Sequence, residues 1–198
     1  MLKPVRLEGR LVALEPVGDE HEEGLRRAGA DPQLWRWGTF DLSTGDCFDA
    51  WWAQLRRAAA AGDEVPWATL DAATGEPIGS TRFLEIVPEH RRLEIGYTFL
   101  APSAWRSGAN KEAKLLQLEY AFERLGYQRV EFKTDARNEE SRRALAALPA
   151  SFEGVFRKHM QQRYGVRDSA YYAITDDEWP EVKAGLRRRL EPSADRPA

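Results

Sequence analysis

The chain is short of the residues that build staples and metal cages. Among its 198 residues there is one cysteine, Cys47, and there are three scattered histidines, His21, His90 and His159. A single cysteine excludes an internal disulfide and a cysteine zinc cage, and the histidines show no ligand spacing, so no metal is expected. Long apolar runs are missing too. None approaches the roughly 20 residues of a membrane-spanning helix, so no membrane partner is expected. Met1-Leu2-Lys3-Pro4-Val5 carries no apolar stretch of the secretory kind, and the expectation is a cytoplasmic protein. A basic surplus is also absent. The net charge of -3 argues against bulk nucleic-acid binding, which needs cations to displace counterions.

What is present is the make-up of a soluble domain, 42% hydrophobic and 31% charged. The length suits one core. A single domain is expected over residues 1–190, followed by a Pro-, Ser- and Asp-bearing tail, 191–198, expected to be disordered.

Hydrophobic periodicity gives the element order β-α-α-β-β-β-α-β-α-β-β-α. Arg10 to Glu15 alternates as a half-buried strand, and Asp19 with Glu22 reads as a capping pair opening a short helix to about Arg27. Residues 30–45 read as a loop. Phe48, Trp51, Trp52, Leu55 and Ala59 share one face of a helix that Gly62 stops. Val65–Leu70, Pro77–Val87 and Arg92–Leu100 read as three consecutive antiparallel strands. In the last of these Leu93, Ile95, Tyr97 and Phe99 are expected on one face and Glu94 on the other. A helix follows from about Ala109 to Leu125, with Leu115, Leu118, Phe122 and Leu125 as its buried stripe. A strand to Thr134, a helix from Glu139, a hairpin turning at Tyr164-Gly165 and a helix from Glu178 complete the order. The pattern predicts an α/β fold of the α+β kind: a mixed, mostly antiparallel sheet of about seven strands with helices on both faces.

Between the strand ending at Leu100 and the helix starting near Ala109 lies Arg106-Ser107-Gly108-Ala109-Asn110-Lys111. Free N–H groups and the helix dipole make such a place an anion site. Gly108 permits close backbone approach, and Arg106 and Lys111 add positive charge. Taken alone the loop reads more readily as a plain helix start. His159, on an expected strand, reads as structural, and Cys47 near a helix start as a thiol without a required task.

Several segments together give the loop a context. Glu94-Ile95-Gly96-Tyr97, Gly108-Ala109-Asn110-Lys111-Glu112-Ala113-Lys114, Val130 to Asn138, Asn138-Glu139-Glu140-Ser141-Arg142-Arg143, Phe152 to Lys158 and Asp177-Glu178-Trp179-Pro180 resemble the GNAT superfamily of acetyl-CoA-dependent N-acetyltransferases. The likeness is greatest to the branch that acetylates ribosomal-protein N-termini and related amines, and it runs from about residue 5 to residue 190. In the general loop pattern only Gly108 matches, while Trp105 and Asn110 depart from it.

The resemblance implies acetyl-CoA as cosubstrate and an amine acceptor, either a peptide N-terminus or a small molecule. It implies that Arg106, Ser107, Gly108, Ala109, Asn110 and Lys111 hold the pyrophosphate. The pantetheine arm is expected to pair with the strand backbone at Phe99 and Leu100, as an added strand would. A backbone N–H there would polarise the thioester carbonyl. Asn138 matches an asparagine that contacts the arm, Ser141 a group that assists thiolate departure, and Arg143 a phosphate contact or a surface arginine. Glu94 is the leading general base, with Gly96 leaving room for substrate and burial raising its pKa; alternatively it is a structural carboxylate paired with an arginine such as Arg82. Trp35 and Trp37 are expected to shape the acceptor pocket, with Trp51 and Trp52 beside them in pocket or core. A catalytically silent acetyl-CoA-binding module, or a plain interaction domain, is the competing reading. The terminal helix and hairpin are compatible with a homodimer.

Overall fold

The computed structural model describes residues 2–191. Eight strands form one sheet in the order β1-β2-β3-β4-β5-β6-β8-β7. They are β1 (Leu7–Glu8), β2 (Val12–Pro16), β3 (Val65–Asp71), β4 (Pro77–Val87), β5 (Arg92–Leu100), β6 (Arg129–Asp135), β7 (Ser151–Gln162) and β8 (Gly165–Thr175). All pairings are antiparallel except β5 with β6. The expected count of about seven misses only β1, whose two residues are too short to show a period. The disordered tail expected at 191–198 lies, beyond Glu191, outside the described residues.

Two helices, α1 (Glu22–Ala28) and α2 (Gly45–Ala61), cover one face; α3 (Ala109–Glu119), α4 (Glu139–Ala147) and α5 (Trp179–Leu190) lie on the other. α2 ends where Gly62 turns left-handed at φ 76°, the conformation glycine adopts without steric cost. Its Phe48, Trp51, Trp52 and Leu55 pack with Trp35 and Phe99 into the core of that face. On the opposite face Leu115 and Leu118 of α3 meet Trp67, Phe83, Leu93, Ile95 and Val130. Each fully buried side chain of this kind contributes about 1.5–3 kcal/mol of apolar transfer.

Three local expectations are corrected. Gly18, not Asp19, caps the first helical turn, where the His21 ring accepts from the Gly18 amide; the Asp19 carboxylate instead pairs with Arg56 at 2.8 Å. The third helix does not run as α-helix to Leu125, because its last turn, Tyr120–Arg124, widens into a π-helix before Gly126. The face of β5 also switches part-way. Ser80 pairs with Phe99 and Arg82 with Gly96, so Thr81 alone lies opposite Tyr97 and Thr98. This is a bulge, and Tyr97 takes the extra-residue conformation at φ 46°. Leu93 and Ile95 therefore face α3 as expected, while Phe99 emerges on the α2 face among Trp35 and Trp51.

Candidate active site

β5 and β6 begin as a parallel pair and then part. They are in register only at Arg92 with Arg129, Leu93 with Val130 and Glu94 with Glu131. Beyond that point β5 stays bonded to β4 as far as Leu100, while β6 stays bonded to β8 as far as Asp135. The edge of β5 from Ile95 to Leu100 is thus left without a strand partner inside the sheet. That opening is a place where an extended ligand can complete the ladder.

The opened edge leads directly into the loop before α3. The Trp105 indole, 47% exposed, donates to the Leu100 carbonyl at 2.9 Å and ties the loop to the strand end. Arg106 turns left-handed at φ 61° and Gly108 at φ 95°. The Ser107 hydroxyl accepts from the Ala109 amide at 3.1 Å and donates to the Ala104 carbonyl at 2.7 Å. The next helix-start amides, of Asn110 and Lys111, have no intrahelical acceptor. The glycine has a reason beyond ligand approach: a Cβ at Gly108 would lie 2.9 Å from Leu11 Cδ1 at a φ unfavourable to other residues. Across the opening, Asn138 caps α4 by accepting from the Ser141 amide at 3.0 Å, which leaves its side-chain NH2 available. Ser141 is half-buried. Arg143 is exposed and reaches Glu139 at 3.9 Å along the helix.

At the fork stands Glu94, 3% exposed, on the α2 face. Its carboxylate is 2.8 Å from Lys133 Nζ of β6. Burial pushes the Glu94 pKa up, and the Lys133 charge limits the rise. Burial opposes the charge on Lys133, yet Glu94 holds its pKa above the ordinary lysine value. The structural partner is therefore a lysine from β6, not Arg82. Arg82 is itself buried against Glu64 at 2.6 Å and lies 4.4 Å from the Tyr97 ring centre. The space at Gly96 is filled from within: a Cβ there would meet Glu94 Oε1 and Leu84 Cδ2, each at 2.9 Å. Glycine at this position seats the carboxylate. A cleft of about 550 Å³ opens beside Glu94 and Lys133, lined also by Glu85, His159 and Tyr171. A neighbouring cleft of about 890 Å³ shares Glu85 and Lys133 and reaches Glu64 and Tyr97.

Residues 11–149 match the family model of the acetyltransferase (GNAT) domain. The chain belongs to the GNAT acetyltransferase family. It is an acyltransferase. The uncharacterized N-acetyltransferase YoaA of Bacillus subtilis (strain 168) is 28% identical over 174 residues, spanning 86% of this chain and 96% of that protein. A solved GCN5-related N-acetyltransferase from Brucella melitensis is 32% identical, with a TM-score of 0.89 over 96% of this chain and 87% of that one. At the level of fold alone, the likeness extends to ribosomal-protein-S5-alanine acetyltransferase from Vibrio fischeri, 17% identical with a TM-score of 0.71 over 88% of this chain and 98% of that one.

In this GNAT domain the two tryptophans expected at the acceptor pocket have different surroundings. Trp35 is buried and donates to the Gly29 carbonyl at 2.8 Å, against Phe99. Trp37 is half-buried, edge-on to Tyr164 with the Arg137 guanidinium 5.0 Å above its ring. Neither lines the two clefts. Trp51 and Trp52 are core residues of α2. His159 holds Ser169 at 3.0 Å beside the smaller cleft, and burial pushes its pKa down. Cys47 is exposed.

Sequence reasoning missed four residues that the GNAT scaffold brings to the site. Lys133 lies on β6, two positions beyond its last pairing with β5, and pattern alone does not show which side chains cross a parted sheet. Glu112 accepts from the Leu11 and Val12 amides at 2.6 and 2.8 Å and so fixes α3 to β2. Asp135 ends β6 in a two-point contact with Arg137; burial opposes its charge, but the Arg137 hydrogen bonds outweigh this and hold its pKa down. Lys114 is buried between α3 and the sheet. Polar residues at i, i+2 and i+5 of an apolar helix were the available signal for Glu112, Lys114 and Gln117. No helix among the described residues is long and apolar enough to cross a membrane.

Proposed function

We propose that this GNAT domain is an N-acetyltransferase that moves an acetyl group from acetyl-CoA to a primary amine by direct attack in a ternary complex. The observation that carries the reading is the parting of β5 from β6 just beyond Glu94, with the freed β5 edge leading into the left-handed turn at Gly108. These residues fit the cosubstrate: unpaired backbone suits the amide-bearing pantetheine arm, and helix-start amides with Arg106 and Lys111 suit the pyrophosphate. When bound, acetyl-CoA supplies the activated acetyl group.

The chain's own residues divide the remaining work. Asn138 and the β5 backbone orient the arm, and the Ser141 hydroxyl is placed to donate to the departing thiolate. Glu94 accepts the proton that the attacking amine must lose. Its location on the α2 face beside the two clefts that share Glu85 and Lys133 supports those clefts as the acceptor site. Burial raises the Glu94 pKa, and the Lys133 charge 2.8 Å away opposes that rise and favours the ionised form. The acceptor is a peptide N-terminus or a small-molecule amine.

The test is release of free thiol from acetyl-CoA over a panel of amines and N-terminal peptides. Glu94→Gln is expected to lower kcat about 10²-fold or more with the acetyl-CoA affinity retained, and Ser141→Ala to lower kcat less. Unchanged turnover in both variants would refute the assigned roles. Binding of acetyl-CoA without thiol release for any amine would favour the silent module.

A further inference from the structure

Lys114 is a cation without an anion. Its Nζ lies 2.7 Å from Thr98 Oγ1, 3.1 Å from Thr81 Oγ1 and 3.3 Å from Gln117 Oε1. All three are neutral groups, and Thr81 and Thr98 bond each other at 2.7 Å. Among the described residues, the charged groups nearest to it are engaged elsewhere or turned away. Glu112 of the same helix is committed to the Leu11 and Val12 amides. Glu119 and Glu123 are tied to α5 through Lys183 and Arg187. Glu94 and Lys133 pair on the other face of the sheet. Arg106 and Lys111 lie at the helix start, ahead of the buried turn.

Two features make the place responsive to a proton. Gln117 Nε2 is buried and has no partner among the described residues. As placed, Gln117 Oε1 accepts from a charged lysine; turned over, its NH2 would donate to the lone pair of an uncharged one. The Lys114 nitrogen therefore finds three hydrogen-bond partners in either charge state, while the far end of the Gln117 amide stays unpartnered in both. Burial alone lowers the Lys114 pKa to about 7, so the two states lie close in energy near neutral pH.

Thr98 connects this network to the active site. It lies on the freed edge of β5, next to the bulge at Tyr97. Lys114 is also six residues beyond the Gly108 cap, about 9 Å along the axis of the same helix. Burial disfavours the charged form of Lys114, and the start of that helix is the expected anion site. An anion bound there reverses the balance.

We propose that Lys114 is a proton-taking positioning residue of the acetyl-CoA site: it gains a proton when pyrophosphate docks at the start of its own helix, and the resulting ammonium fixes Thr98 and the free edge of β5. The inference rests on the acetyl-CoA reading above. Two phosphate charges about 10 Å away, at an effective dielectric near 20, favour the protonated amine by more than tenfold. By linkage, protonation favours cosubstrate binding by the same factor.

The test combines two measurements on the whole protein. Carbon-13 NMR of lysine Cε follows Lys114 directly in the free wild type, with Lys114→Met identifying its resonance. Calorimetry of acetyl-CoA binding at pH 8, in buffers of different ionisation enthalpy, counts protons. The expected result is a Lys114 signal titrating near neutral pH, net uptake of several tenths of a proton in the wild type, loss of that uptake in Lys114→Met, and several-fold weaker binding by the variant. A Lys114 that titrates in the ordinary lysine range, or uptake that persists in Lys114→Met, would overturn the inference while leaving the cofactor reading intact. No binding of acetyl-CoA to the wild type would overturn both.

Discussion

At the residue scale the site depends on one buried ion pair. A carboxylate taken from water drifts towards neutrality, and a lysine 2.8 Å away resists that drift. Glu94 is a base only while ionised, so activity must fall as pH drops through its raised pKa. Removing the Lys133 charge removes the attraction that restrains the rise. Lys133→Met is therefore expected to move the acidic limb of the kcat/KM profile to higher pH. A limb at the wild-type position would show that Lys133 is not setting the proton affinity of the base. Glu94 was legible as a candidate because strand alternation puts it opposite Leu93 and Ile95. Lys133 was not, since the contact joins two strands that diverge immediately afterwards.

At the element scale α3 is the part that has to be held still. It carries at one end the loop proposed to hold the pyrophosphate, and it is pinned to β2 by Glu112, whose carboxylate receives two consecutive amides. Glu112→Ala would leave those two N–H groups buried and unpaired, which costs about 2–4 kcal/mol. Glu112→Gln retains an acceptor oxygen and should recover most of the loss. Urea unfolding measures both, and equal stability of all three proteins would remove Glu112 from this role. The loop has its own constraint. Gly108→Ala places a methyl group 2.9 Å from Leu11 Cδ1 at φ 95°, so it is expected to lower stability by about 1–3 kcal/mol and to weaken acetyl-CoA binding. Normal binding would show that the left-handed turn is dispensable.

Most elements were readable from periodicity because each has one apolar face and a glycine or proline at its end. α2 and the β7–β8 hairpin are the clearest cases. The misses share a cause: they lie where the backbone leaves its period. The bulge at Tyr97 moves Phe99 to the opposite face, and the π turn at Tyr120–Arg124 changes the helical repeat. Neither substitution of geometry alters the apolar pattern enough to be seen in one sequence. The polar residues Glu112, Lys114 and Gln117 of α3 were visible, but only tertiary contacts reveal that Glu112 is buried against β2 and Lys114 with Gln117 against β4 and β5.

At the scale of the whole molecule the sheet acts as a partition with one opening. α3 and α4 occupy one side and present Gly108, Asn138 and Ser141; α1 and α2 occupy the other, where the two clefts and Glu94 lie. In the proposed reaction the two substrates would approach from opposite faces and meet where β5 parts from β6. The proposed cosubstrate would lie along the β5 edge that faces away from β4, which beyond Glu94 has no strand partner among the described residues. Amide hydrogen exchange with and without acetyl-CoA reads this edge directly. New protection is expected to concentrate in Ile95–Leu100, Gly108–Lys111 and Asn138–Arg143, with little change in β7. Unaltered exchange across β5 and the α3 start, or protection confined to other segments, would contradict it.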